Sequence, residues 1–72
     1  MLARLVNKKR RRYVVVTCDN CGQDNVFKLE HFLRGYVSGR SVFCKYCGQE
    51  MAIEPCEKLE RKIEAYRRKF HA

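Results

Sequence analysis

Two short stretches decide how this chain reads: C-D-N-C-G-Q at residues 18–23 and C-K-Y-C-G-Q at residues 44–49. They are one layout written twice, and they make the chain's one internal repeat. Two residues between paired cysteines let a tight turn aim both sulfurs at one point. The glycine after each pair lets the backbone turn without a Cβ clash, and Asp19 and Asn20 suit such a turn. Four thiolates converging on one point form a soft tetrahedral ligand set, which suits Zn²⁺. The spacing predicts one closed structural zinc site built from Cys18, Cys21, Cys44 and Cys47. A closed coordination sphere leaves no position for a substrate, so the metal is expected to hold structure and perform no chemistry. Iron is the chemical rival for the same ligands. A redox C-x-x-C needs a thioredoxin-like βαβ setting, which this pattern lacks.

With 72 residues there is room for one domain and a thin core, and a fold of this size needs a staple. The five cysteines are an odd number, which suits a metal site with one thiol left over better than a disulfide framework. The leftover is Cys56. It reads as a small apolar member of a helix stripe, with an alternative ligand or redox sensor as the functional reading. His31, between the pairs, reads either as a substitute ligand or as a surface residue of the connecting turn. Free thiols fit a reducing compartment. No apolar run suits a signal peptide or a bilayer span, so a protein free of membrane is expected, in the cytoplasm, or in the nucleoid or a host cytoplasm if viral.

Working outward, residues 13–17 read Y-V-V-V-T, a strand signal that runs directly into Cys18. Residues 25–29 and 40–43 read as further strands, and residues 51–53 as a short one. Residues 30–34 suggest a single helical turn stopped by Gly35, with Gly35 and Gly39 bracketing a flexible hairpin tip. From Pro55 the period changes: Cys56, Leu59, Ile63, Tyr66 and Phe70 are spaced 3, 4, 3, 4, one apolar stripe on a helix over residues 55–71. Glu57 stands four before Arg61 and Glu64 four before Arg68, and acids early with bases late suit the helix dipole.

The two turns resemble the knuckles of the zinc-ribbon class, whose members often read C-x-x-C-G. The resemblance covers residues 13–53. It implies a structural four-cysteine zinc and a two- to three-stranded antiparallel sheet. A treble-clef finger is the competitor, but there the second knuckle opens a helix, and here a strand-like M-A-I precedes Pro55. The proline often found inside a ribbon knuckle is missing from both turns. The expected organisation is a basic arm at 1–12, a zinc-ribbon β domain at 13–54 and a helix at 55–71 packed on it. The resemblance implies no single activity: zinc ribbons occur in transcription factors, RNA polymerase subunits, ribosomal proteins and small phage regulators.

Charge points to where function lies. The net charge is +8, and residues 1–12 hold six basic side chains and no acid. Residues 13–53 balance four bases against four acids, and residues 54–72 carry a net +2. Lys8, Lys9, Arg10, Arg11 and Arg12 form an unbroken cationic run, which reads as a phosphate-binding arm or as a solvated leader. Tyr13 ends the run, where it could stack on a base or begin the strand. Arg34, Tyr36 and Arg40 join two glycines at the expected hairpin tip, a mixture suited to gripping a nucleic-acid backbone or to an ordinary loop. The expected function is a small nucleic-acid-binding regulator of transcription or translation. The alternative is an accessory subunit of a polymerase, ribosome or viral particle, docked through the C-terminal helix. No Ser/His/Asp set, acidic pair or phosphate loop is present, so neither an enzyme nor a small-molecule substrate is expected.

Overall fold

The computed structural model describes residues 1–70, and of Phe70 the backbone alone. The chain runs β1 (Leu2–Lys8), β2 (Arg11–Thr17), β3 (Asp24–Lys28), α1 (Leu29–Val37), β4 (Val42–Phe43), β5 (Glu50–Met51), β6 (Glu54–Pro55) and α2 (Glu57–Phe70). Four strands form one mixed sheet in the order β3-β2-β1-β6, and β4 and β5 form a separate two-stranded ribbon. Within the larger sheet β1 and β3 pair antiparallel to β2, while β6 lies parallel to β1.

The separate basic arm expected at residues 1–12 is instead part of this sheet. Burial alternates along residues 2–5, so that Ala3 and Leu5 turn inward beside Val16 and Val14. The sequence L-A-R-L-V-N-K does not itself alternate apolar and polar, so the strand is fixed by its pairing with β2 rather than by a period of two. Lys9 and Arg10 form the two-residue turn, with φ of 49° and 66°. Such turns match the twist of a hairpin when both central residues take positive φ, a conformation that Asn-Gly adopts at least cost. Here two long cationic side chains hold it, a local strain of order 1 kcal/mol each.

The hairpin tip expected between Gly35 and Gly39 is also corrected, because α1 continues through Gly35 to Val37. Gly in a helix interior costs about 1 kcal/mol, and burial of Phe32 and Leu33 on the core face outweighs it. The helix stops at Gly39, whose φ is 79°. The Gly39 N–H donates to the Tyr36 carbonyl at 3.1 Å and the Arg40 N–H to the Gly35 carbonyl at 3.0 Å, which is a Schellman cap.

Pro55 ends in β6 rather than in the first turn of the last helix, which begins at Glu57. The apolar stripe of α2 works as expected where it is described: Leu59 and Ile63 are buried, and Cys56 and Tyr66 pack against the same cluster. The Phe70 side chain and His71 lie outside the described residues. Glu57 and Arg61 form an exposed ion pair at 3.3 Å, worth a few tenths of a kcal/mol. Both helices lie against one face of the sheet, where Ala3, Val14 and Val16 meet Phe32, Leu33, Leu59 and Ile63. The opposite face, with Val6, Tyr13, Val15 and Val26, carries no layer among the described residues. Among those residues, no helix is long and apolar enough to cross a membrane.

Candidate metal centre and basic groove

Strand β2 delivers Cys18, and β3 leaves the same turn; β4 delivers Cys44, and β5 leaves the second. The two turns repeat one hydrogen-bond pattern. Gly22 N–H donates to the Cys18 carbonyl at 2.8 Å and Cys18 N–H to the Gln23 carbonyl at 3.0 Å. In the second turn Gly48 donates to Cys44 at 3.0 Å and Cys44 to Gln49 at 2.9 Å. Gly22 and Gly48 share a φ of 76°, so both glycines are required by the backbone.

The four sulfurs of Cys18, Cys21, Cys44 and Cys47 all lie within 4.8 Å of one another. Two edges of the cluster measure 3.6 Å (Cys18 to Cys47) and 3.5 Å (Cys21 to Cys44). A tetrahedron with metal–sulfur bonds of about 2.3 Å has edges of about 3.8 Å, whereas a disulfide is about 2.05 Å. The cysteines are therefore placed to bind one metal ion, and their geometry is compatible with a structural zinc. Cys18 and Cys44 are buried and Cys21 and Cys47 face solvent, so the site lies at the edge of the core.

The surroundings set the charge of the thiols before any metal arrives. Burial opposes ionisation of Cys44, but the Asn25 amide, the Cys47 and Tyr46 backbone N–H groups and Cys21 outweigh it and bring the thiol down to about 6. The Asn20 amide, then the Gln49 backbone, also lower Cys47. At Cys21 the Gln23 backbone favours the thiolate, yet desolvation and the three neighbouring sulfurs together push it up to about 12. Four thiols this close do not all ionise without a cation among them.

Sequence reasoning does not single out Asn25. Its buried side chain donates to the Cys44 sulfur at 3.5 Å, to the Met51 sulfur at 3.7 Å and to the Gln23 carbonyl at 3.5 Å. Its Oδ1 accepts the Lys45 N–H at 2.8 Å. One amide thus ties the first turn to the second. The signal available is register: Asn25 and Phe27 alternate inward on β3, and a polar residue at an inward position needs a partner. Asn20 similarly donates to Cys47 at 3.6 Å across the two turns. His31 lies on the exposed face of α1 and is outside the sulfur cluster, as is Cys56.

The cationic run is split by the pleat of the strands. Lys8 and Arg11 are cross-strand partners on the uncovered face, and Asn7 and Arg12 are partners on the helix-bearing face. Lys9 and Arg10 occupy the turn. Arg10, Arg11 and Arg12 line one open groove together with Lys28 at the end of β3 and His31 and Arg34 of α1, with Glu30 as the acid among them. Arg12 also faces Lys58 and Lys62 of α2. Arg34 is thus brought to the cationic run. Tyr36 is not: its ring stacks on Phe32 at 5.6 Å between centroids, and it is half-buried beside α2. Arg40 follows the α1 cap and lies outside this groove.

No family model, curated protein or solved structure matches the chain. Its chemistry is read from its own geometry.

Proposed function

We propose that this chain is a nucleic-acid-binding protein of zinc-ribbon type, a regulator of transcription or translation in which one Zn²⁺ fastens the two cysteine turns. The observation that carries the reading is the groove in which Arg10, Arg11 and Arg12 meet Lys28, His31 and Arg34. Cations from the β1–β2 hairpin and from the β3–α1 segment, distant in sequence, converge there with a single acid among them. A solvated leader would not be folded into a hairpin and placed against a second basic element. Phosphates entering the groove would release counterions, a sequence-independent source of affinity.

The test is binding of labelled oligonucleotides across a salt series. Affinity should fall steeply with salt, and replacing Arg10, Arg11 and Arg12 with alanine should weaken binding to every sequence. Each phosphate that is no longer neutralised should flatten the logarithmic salt slope by about 0.7–0.9. Affinity and slope unchanged in the triple variant would sink the reading.

The accessory-subunit alternative draws on a different observation. Phe43 and Tyr46 are 55% and 65% exposed beside the second cysteine turn, an aromatic pair suited to a protein partner. The stripe of α2, the docking face expected for that role, is occupied by the core at Leu59 and Ile63. A protein partner would therefore meet the second turn rather than the helix stripe.

A further inference from the structure

The uncovered face of the four-stranded sheet is unlike the solvent face of an ordinary two-layer domain. Cross-strand partners arrange it in rows. Lys8 faces Arg11, Val6 faces Tyr13 and Tyr13 faces Lys28, while Arg4 faces Val15 and Val15 faces Val26. Successive rows on one face are roughly 7 Å apart, two residues along a strand. The middle of the face is apolar and aromatic, and Val26 alone is 49% exposed. Cations stand in each of these three rows, on β1, β2 and β3. The acids on this face stand at the far end: Asp24, which accepts a hydrogen bond from the Thr17 hydroxyl at 2.6 Å, and Glu54 of β6, the partner of Leu2.

Exposed valines beside an aromatic ring favour an occupant, and the surrounding charge selects one. A membrane surface or an acidic protein would match the cations, but neither makes use of a single aromatic ring framed by valines and flanked by cations in register. Unpaired bases do: they present apolar π-faces to an aromatic ring while their phosphates keep to the basic margin. We propose that this face is a platform for single-stranded nucleic acid, with Tyr13 stacking on a base and Arg4, Lys8, Arg11 and Lys28 neutralising phosphates along the strand. The inference rests on the nucleic-acid reading above and narrows it: the partner is unpaired, and the contact includes bases. The groove of Arg10, Arg12 and Arg34 adjoins the platform past Tyr13, which borders both, so one strand can leave the face and enter the groove.

The chain has no tryptophan, which makes Tyr13→Trp a direct probe. Zinc-loaded Tyr13→Trp should show quenched fluorescence when a twelve-nucleotide oligo(dT) or oligo(U) is added, and no quenching with free inorganic phosphate. Tyr13→Leu, which keeps apolar bulk on the strand, should bind the same oligomers on the order of tenfold more weakly. Its thermal unfolding, compared with the parent, separates a loss of stacking from a loss of folding, and Val15→Lys supplies a second variant on the same face that leaves Tyr13 in place. A duplex of matching sequence should bind less tightly than its single strands. Binding that depends on Arg10, Arg11 and Arg12 but is indifferent to Tyr13→Leu, with unquenched tryptophan, would overturn the platform and leave the wider reading standing. Preference for the duplex would do the same, pointing to the hairpin lying in a groove. Absence of binding to any oligonucleotide would overturn both.

Discussion

Strand β2 joins two unlike ends of one sheet. At its far end Thr17 leads into Cys18 and the cysteine cluster; at its near end Arg11 leaves a turn of cations. The cluster end is cross-tied. Two cysteine turns repeat the same hydrogen bonds, and Asn25 and Asn20 bridge between them. The turn end is strained and mutually repulsive: Lys9 and Arg10 hold positive φ within an unbroken run of five cations. Stability is concentrated at one end, and exposed charge, which opposes compactness, at the other. On the function proposed above, the cysteine end positions and the hairpin end contacts, a division that substitutions at either end can break.

The largest effect should come from removing the metal. A strong chelator, or Cys44→Ala, should remove on the order of 10 kcal/mol of folding free energy, read as loss of cooperative thermal unfolding and of oligonucleotide binding together. What persists should depend on pH. Cys44 has its folded pKa lowered from 9.0 to about 6, so its contribution is complete above pH 9 and is lost as pH falls towards 6. Cys21 has its pKa raised from 9.0 to about 12, so its contribution is complete below pH 9 and is lost as pH rises towards 12. Urea midpoints of any structure left in the metal-free chain should therefore be highest near pH 9. A midpoint still climbing beyond pH 10 would contradict the Cys21 assignment.

An intermediate effect is expected at Asn25. Asn25→Leu keeps an apolar volume but leaves the Lys45 N–H and the Cys44 sulfur without their partner, a cost of about 1–3 kcal/mol. Metal competition with a chromophoric chelator should show affinity reduced about 10- to 100-fold, the size of effect that outer-shell partners exert on a metal site. Asn25→Leu with parental metal affinity would mean that the two turns are held by the ion alone.

The smallest effect should have the opposite sign. Replacing Lys9 and Arg10 with Asn and Gly relieves two strained positions and should stabilise the fold by about 1–2 kcal/mol. The melting temperature should rise by about 4–8 °C per kcal/mol for a domain of this size. The same variant should bind oligonucleotides more weakly, because two cations are gone. A variant that gains stability and keeps its affinity would place the contact elsewhere on the chain.

The cysteine set is fully legible in the sequence, because a doubled C-x-x-C-G encodes its own geometry in local spacing. The helix of the last residues is legible for the same reason, since a 3-4-3-4 stripe is a local periodicity. Residues 2–8 mislead because L-A-R-L-V-N-K has no period of two and runs into five consecutive cations, so the strand shows only in its pairing with β2. The length of α1 is hidden because Gly35 is a poor helix residue in isolation, and only its burying neighbours Phe32, Leu33 and Tyr36 carry the helix past it. Strand β6 is invisible, because two residues gain a strand's identity only from pairing with β1. Sequence also groups Tyr36 with Arg34 as surface contacts, whereas one turn of helix faces Tyr36 inward and leaves Arg34 exposed. Asn25 escapes notice because an asparagine near a turn usually serves the turn.

The parallel pairing of β1 with β6 has a kinetic consequence. Leu2 pairs with Glu54, and the Cys56 N–H donates to the Ala3 carbonyl at 3.0 Å, closing a loop that contains both cysteine turns. The entropy cost of closing a loop grows with the logarithm of its length. The β1–β2 hairpin, joined by two residues, should form on a microsecond timescale. The longer closure has to wait for a chain already shortened by ligation. Stopped-flow refolding should then show a fast phase indifferent to zinc and a slower one whose rate rises with zinc concentration. The ion would act as a clock for assembly, setting when the last strand and its helix join the sheet.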